Sequence, residues 1–270
     1  MSTGLCGRRR LARAFRATLI CFSFVILGVL RGLLFCMSIA QNVAEVRQQI
    51  ATAALRAGRD PGQVTLMAVG KTFPPERIRE AYDAGLRVFG ENRVQEFTGK
   101  AASLRDLREA EWHMIGHLQS NKAAAAAEAF AAIDSLDSLK LAEKLNTSAE
   151  KLGKKLRVLI EINVGGETAK SGLSPEADEL EELLASASKF EQLEFRGLMT
   201  IPPFTEDAQQ ARPYFRKLRA LRDQIAGRHL AAIHMDILSM GMSHDFEIAI
   251  EEGSTCVRVG TAIFGQRTKH

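Results

Sequence analysis

Eight short apolar or β-branched runs, each followed by a longer stretch of helical periodicity, restrict the fold of this chain more than any other feature. They are Val64 to Val69, Leu86 to Phe89, Trp112 to Ile115, Ala131 to Ile133, Val158 to Val164, Phe195 to Met199, Met235 to Leu238 and Cys256 to Val259. Runs this short read as strands. The segments between them, such as Glu76 to Ala84, Leu139 to Leu152, Pro175 to Ala187 and Ala208 to Ile225, space their apolar residues so that one face of a helix is buried. Pro or Ser/Asp stands near several helix starts, and Gly85, Gly153 and Gly253 stand at ends. Strict alternation of strand and helix predicts an α/β fold with a parallel sheet. Eight units in about 210 residues predict a single closed (β/α)8 barrel, the TIM barrel, slightly under its usual size of about 250. A doubly wound open sheet is the alternative. A further helix precedes the first strand, with Ile39, Val43, Val46, Ile50 and Ala54 on one face, and Gly58 and Asp60-Pro61 end it. No linker or repeat divides residues 37–270, and the Ala123 to Ala127 run suits a helix, so one domain is expected.

Composition matters mainly for where it is uneven. The chain is 46% apolar and 25% charged, as a globular protein is, and its net charge is +4. Residues 1–36 hold six arginines and no acid, which leaves 30 basic against 32 acidic residues in 37–270. The folded part therefore carries no basic excess for nucleic acid or a membrane surface. Three of the four cysteines also lie in 1–36, so Cys256 stands alone in the remainder, where no intrachain disulfide can form; a reducing, cytoplasmic setting is expected. The Arg-rich head runs into an uncharged apolar stretch, Ala17 to Leu30, in the order of a signal or membrane anchor. The amphipathic helix and the acidic residues both begin after Met37, so the expectation is that translation starts there.

In a barrel the ligand site is built at the C-terminal ends of the strands. After strand one comes Gly70-Lys71-Thr72-Phe73-Pro74-Pro75. Beside apolar walls the Lys71 amine loses its proton more readily and can attack an aldehyde; a solvated surface lysine is the other reading of that position. After strand eight comes Val257-Arg258-Val259-Gly260-Thr261-Ala262-Ile263-Phe264-Gly265, where Gly260 permits close backbone approach and Thr261 can cap a short helix facing an anion, or simply end a turn. After strand seven, Ser239-Met240-Gly241-Met242-Ser243-His244-Asp245 offers hydroxyls, with Ser243 also placed to cap the next helix. Alternation puts Arg258 on the face opposite Val257 and Val259; inside a barrel it needs a partner, outside it does not. His113 and His117 lack a third ligand at a convincing spacing, so no metal is expected. Walker, Gly-x-Gly-x-x-Gly and Gly-x-Ser-x-Gly motifs are absent, which disfavours nucleotide binding and hydrolysis.

Six segments in order resemble the pyridoxal phosphate homeostasis protein family: Gly70-Lys71-Thr72; Phe89-Gly90-Glu91-Asn92-Arg93-Val94-Gln95-Glu96; Trp112-His113-Met114-Ile115-Gly116-His117-Leu118-Gln119-Ser120-Asn121-Lys122; Gly197-Leu198-Met199; Ser239-Met240-Gly241-Met242-Ser243; and Val257 through Gly265. Met114 stands where an aromatic is common. The resemblance implies a fold type III barrel like the N-terminal domain of alanine racemase. It implies pyridoxal 5'-phosphate (PLP) as cofactor, held as a Schiff base on Lys71, with Ser243, Gly260 and Thr261 at the phosphate, Arg258 facing the pyridine nitrogen and Asn92 near the ring. It further implies a monomer that binds PLP for intracellular homeostasis, affects amino-acid and keto-acid pools, and has PLP-dependent apoenzymes as candidate partners. Residues 1–36 have no counterpart in the family.

Two features favour holding the cofactor over catalysis. Guanidinium only donates, so a pyridine nitrogen facing Arg258 stays unprotonated and is a weaker electron sink. About five residues follow Gly265, so the second domain that racemases of this fold type carry is not expected. A minimal PLP-dependent racemase and a cofactor-free class I aldolase are the competing readings.

Overall fold

A computed structural model describes residues 38–167 and 170–266; the 1–36 extension and its translation-start reading lie outside the described residues. The strands are β1 (Thr65–Val69), β2 (Val88–Glu91), β3 (Glu111–Met114), β4 (Ala132–Leu136), β5 (Leu156–Glu161), β6 (Leu193–Met199), β7 (Ile233–Met242) and β8 (Cys256–Val259). They pair in parallel in chain order, and β1 closes on β8 through Thr65–Cys256 and Met67–Arg258. The expected closed barrel is therefore the observed one, and the open-sheet alternative falls. The additional N-terminal helix α1 (Ile39–Arg56) buries Ile39, Val43, Val46, Ile50 and Ala54, the face expected from spacing.

The helices between strands are α2 (Pro75–Asp83), α3 (Val94–Ala101), α4 (Ala123–Ala129), α5 (Leu139–Lys151), α6 (Asp178–Ser186), α7 (Arg212–Ala226), α8 (Phe246–Glu251) and α9 (Thr261–Phe264). Several local expectations shift. The second strand lies two residues later than its apolar run and ends in buried Glu91. Helix α6 starts at Asp178, not Pro175, and residues Ala208–Ala211 form a 3-10 turn before α7. Strand β7 continues through Met242, so Ser239 to Met242 belong to the strand; its pairing to β8 slips between Ser239 and Met242, which lengthens it.

Apolar packing lies mostly between barrel and helices. Val257 and Val259 pack outward with Ile250, Ile263 and Phe264. Arg258 therefore points inward, and its guanidinium reaches past β7 to the carbonyl of Thr200 at 2.7 Å and to Ser239 Oγ at 2.6 Å. Inside, Met67, Val69, Ile115 and Cys256 form a small apolar cluster. Polar groups complete it, among them His113, whose Nδ1 stands 3.1 Å from Asp134 Oδ1. Burial works to lower the His113 pKa, but Asp134 outweighs it and the value is pushed up to about 9. A histidine raised in the folded state stabilises fully below its unfolded pKa and loses that contribution as pH climbs through the folded one. The wild type's advantage over His113→Gln should thus be larger by about 3 kcal/mol at about pH 6 than at about pH 10 in urea titrations. An advantage independent of pH would contradict the charged pair.

Candidate functional site at the C-terminal mouth

Lys71 sits half-buried in the turn leaving β1. That turn is tightly held. The Gly70 amide donates to the Gly90 carbonyl at 3.0 Å, the Phe73 amide donates back to the Gly70 carbonyl at 3.2 Å, and Thr72 takes the left-handed φ of 65°. Left-handed backbone is disfavoured for a β-branched residue and persists only when its surroundings impose it. Here they do: the Thr72 amide donates to Glu96 Oε1, and the buried Lys100 ammonium donates to the Gly70 carbonyl at 3.0 Å. Residues on both sides of Lys71 are thus tied to α3.

Lys100 also stands 2.9 Å from Glu91 and 3.6 Å from Glu96. The contact to Glu91 is close but poorly aligned, and both Glu91 oxygens lack a well-directed hydrogen bond. Burial raises the Glu91 pKa to about 7, with Lys100 only partly offsetting it. A Cβ on residue 70 would fall 2.8 Å from Glu91 Oε1, so glycine is what lets this carboxylate approach the strand end. Replacing Lys100 with Met strands Glu91 without its countercharge. The expected loss is about 3–5 kcal/mol above about pH 7, shrinking at lower pH as Glu91 takes up a proton. Chemical denaturation at two pH values checks this; an equal loss at both would contradict it.

The other expected residues fall around the same mouth. β1 pairs Val69 with Gly90 of β2, and Gly260, just past β8, lies against Val69. Lys71, Asn92 and Gly260 therefore leave three adjacent strands side by side. Asn92 is half-buried in the loop before α3. Ser243 does not cap the next helix, whose N-cap position is Asp245. Its Oγ instead accepts from the amides of Gly260 at 3.2 Å and Ala262 at 3.4 Å, joining the loops after β7 and β8. Thr261 is the first residue of α9 and exposed, and Gly260 holds the cap position expected of Thr261. Arg258 lies below, fully enclosed, with burial lowering its pKa and Cys256, Asp134, Glu161 and Asp245 opposing that.

Across the barrel, at the ends of β3, β5 and β6, a cavity of about 470 Å3 is lined by His117, Glu161, Lys170, Ser171 and Ile201. His117 Nδ1 stands 2.9 Å from Asp137 there, whereas His113 points to the interior. The two histidines thus take separate hydrogen-bonding roles. Among the described residues no three His, Cys, Asp or Glu side chains group as metal ligands. Sequence reasoning left Glu91, Glu96 and Lys100 without roles; the i, i+4 spacing of Glu96 and Lys100 was the available signal.

Comparison with known proteins addresses the family and the fold. The model of the alanine racemase N-terminal domain family matches residues 38–268. A pyridoxal phosphate homeostasis protein of Aquifex aeolicus is 47% identical over 231 residues, covering 86% of this chain and 99% of that protein. Its Escherichia coli K12 namesake is 46% identical over 232 residues, 85% of this chain and 97% of that one. Among solved structures, PipY of Synechococcus elongatus PCC7942, with PLP bound, superposes with a TM-score of 0.73 at 38% identity, covering 84% of this chain and all 100% of that one. Alanine racemase from Corynebacterium glutamicum shares the fold, with a TM-score of 0.61 at 19% identity over 82% of this chain and 61% of the racemase. With its closed barrel, its clamped lysine turn and relatives matched over nearly their whole length, the chain belongs to the pyridoxal phosphate homeostasis protein family, built on the alanine racemase N-terminal domain.

Proposed function

We propose that this chain binds PLP, holds it as a Schiff base on Lys71, and serves PLP homeostasis inside the cell. The observation that carries the reading is the buried Arg258 guanidinium on the strand beside the Lys71 turn, in a chain whose relative PipY has PLP bound. When bound, PLP supplies an aldehyde and an electron-withdrawing ring. Lys71, in the turn leaving β1, would be the residue whose amine holds that aldehyde. Ser243 and the Gly260 and Thr261 backbone are assigned to the phosphate. The two amides now directed at Ser243 Oγ at 3.2 and 3.4 Å are long-range donors that an anionic oxygen can share. Asn92, leaving β2 next to Lys71, is assigned to the ring.

Arg258 supports a carrier over a catalyst. A guanidinium stays protonated and only donates, so a ring nitrogen held by Arg258 would have to accept and would stay neutral. The site then favours holding the aldehyde over stabilising a carbanion, which makes the chain a carrier or buffer for amino-acid and keto-acid metabolism, with PLP-dependent apoenzymes as recipients. The purified protein is expected to absorb as a lysine-bound PLP, and borohydride followed by peptide mapping should place the label on Lys71. Exchange of amino-acid Cα hydrogen in deuterated water at about 1 s⁻¹ or faster, an ordinary enzymatic rate, would establish a racemase-like enzyme instead.

A further inference from the structure

Arg258 is a buried cation held by neutral groups. The residue is 3% exposed, and among the described residues its guanidinium donates to two uncharged oxygens, Ser239 Oγ at 2.6 Å and the Thr200 carbonyl at 2.7 Å. A charge taken out of water ordinarily recovers part of that cost from a carboxylate at hydrogen-bond distance. Carboxylates are not lacking: Asp134, Glu161 and Asp245 stand near enough to favour the charged guanidinium. Each is engaged elsewhere. Asp134 Oδ1 lies 3.1 Å from His113 Nδ1, Glu161 Oε1 accepts from the Ser171 hydroxyl at 2.8 Å, and Asp245 Oδ1 accepts from the Met242 amide at 2.6 Å. Burial also raises the pKa of Glu161 and of Asp245. The Cys256 thiol, likewise beside Arg258, is kept protonated by burial, its pKa pushed up to about 12.

The two acceptors are themselves fixed. Ser239 in β7 and Thr200 just past β6 are fully buried. The Thr200 amide donates to the Ser239 carbonyl at 3.1 Å, and the Thr200 hydroxyl donates to the Ile162 carbonyl at 2.7 Å. One bond on each terminal nitrogen, from neighbouring strands, sets the plane of a rigid fork. Because both acceptors are neutral, the positive charge is not cancelled and stays available to the remaining N–H groups.

We propose that Ser239 is a positioning residue of the site: with the Thr200 carbonyl it holds Arg258 off the buried carboxylates and directs the remaining N–H groups to the ring nitrogen of PLP, which keeps that nitrogen unprotonated. This role rests on the PLP reading above, and Ser239 acts in it through Arg258. Without the hydroxyl, one edge of the guanidinium is released, and Asp134 or Glu161 competes for it as a charged acceptor. A donor withdrawn from the ring nitrogen no longer favours its neutral form, so the nitrogen takes up a proton at higher pH.

The test uses the full-length protein loaded with PLP isotopically labelled at the ring nitrogen, followed by nitrogen NMR across pH. Ser239→Ala should raise the pH at which the signal moves from the neutral to the protonated position by about one unit or more, about tenfold in proton affinity. Ser239→Thr, which keeps the hydroxyl, should follow the wild type. A role confined to packing would cost stability or PLP retention without moving this titration. If Ser239→Ala does not fold, Ser239→Cys in reducing buffer, close in volume but only a weak acceptor, makes the same comparison. An unmoved titration in the folded variant, or a ring nitrogen already protonated in the wild type near neutral pH, would overturn the proposal. Absence of PLP on Lys71 in the wild type would overturn the PLP reading itself, and the proposal with it.

Discussion

Lys71→Ala is expected to lose all site-specific PLP absorbance and all borohydride-fixed label while remaining folded. The reason is chemical: the substitution removes the amine that adds to the aldehyde and leaves the turn that carries it. Gly70, Thr72 and Phe73 are held through backbone groups and by Lys100 and Glu96. Stability should change by no more than about 1 kcal/mol, as for other substitutions outside the packed core. Lys100→Met is the matched control. It removes a second lysine from the same mouth, yet the fixed label should still map to Lys71, with weaker retention because the turn is loosened. Label surviving in Lys71→Ala, mapped to another lysine, would refute the assignment. Lost label in both variants would show only that the turn must be intact, and the mapped peptide in the wild type would then carry the assignment.

Gly197→Ala is expected to prevent accumulation of folded protein. Gly197 has φ 153°, and a Cβ there would lie 1.8 Å from the Ile237 carbonyl oxygen and 2.7 Å from its carbon. Both are backbone atoms of the neighbouring strand, in the stretch where the β6–β7 register shifts, so no flexible side chain can swing away. Relief requires separating two strands of a closed barrel. A loss above about 4–5 kcal/mol is expected, a large part of the roughly 5–15 kcal/mol that holds an ordinary domain folded. Gly99→Ala provides the contrast: Gly99 lies within helix α3 with nothing within 4 Å of the added carbon, and alanine should stabilise it by about 0.5–1 kcal/mol. Soluble yield and urea midpoints of the two variants check both; a folded Gly197→Ala of near-wild-type stability would contradict the contact.

The eight strands were legible because each is a short run of apolar residues bounded by turn signals, a property of neighbours along the chain. Boundaries were less so. Glu91 ends β2 as a fully buried carboxylate, and nothing in its neighbours shows that Lys100 will cover it. Ser243 read locally as a helix cap, but its Oγ accepts from the amides of Gly260 and Ala262 after β8, and Asp245 takes the cap position. Arg258 illustrates both halves. Alternation put it opposite Val257 and Val259, while which face was interior depended on where the helices packed.

Lys71, Asn92, Ser243, Arg258, Gly260 and Thr261 could be named from the sequence because motif order and strand ends are one-dimensional properties. The sequence alone determined the alternation of eight strands with helices and the end at which to look for the lysine, and it left an open sheet as the alternative to a barrel. Closure of the barrel decided the rest. It brought Lys100 to the Gly70 carbonyl 30 residues away, Arg258 to Thr200 58 residues away and His113 to Asp134 21 residues away. Hydrophobic periodicity is written locally, since each residue meets the same face of its own element. The pairing of buried charges is not, because in a low-dielectric interior each charge must find whichever partner the folded chain places within reach.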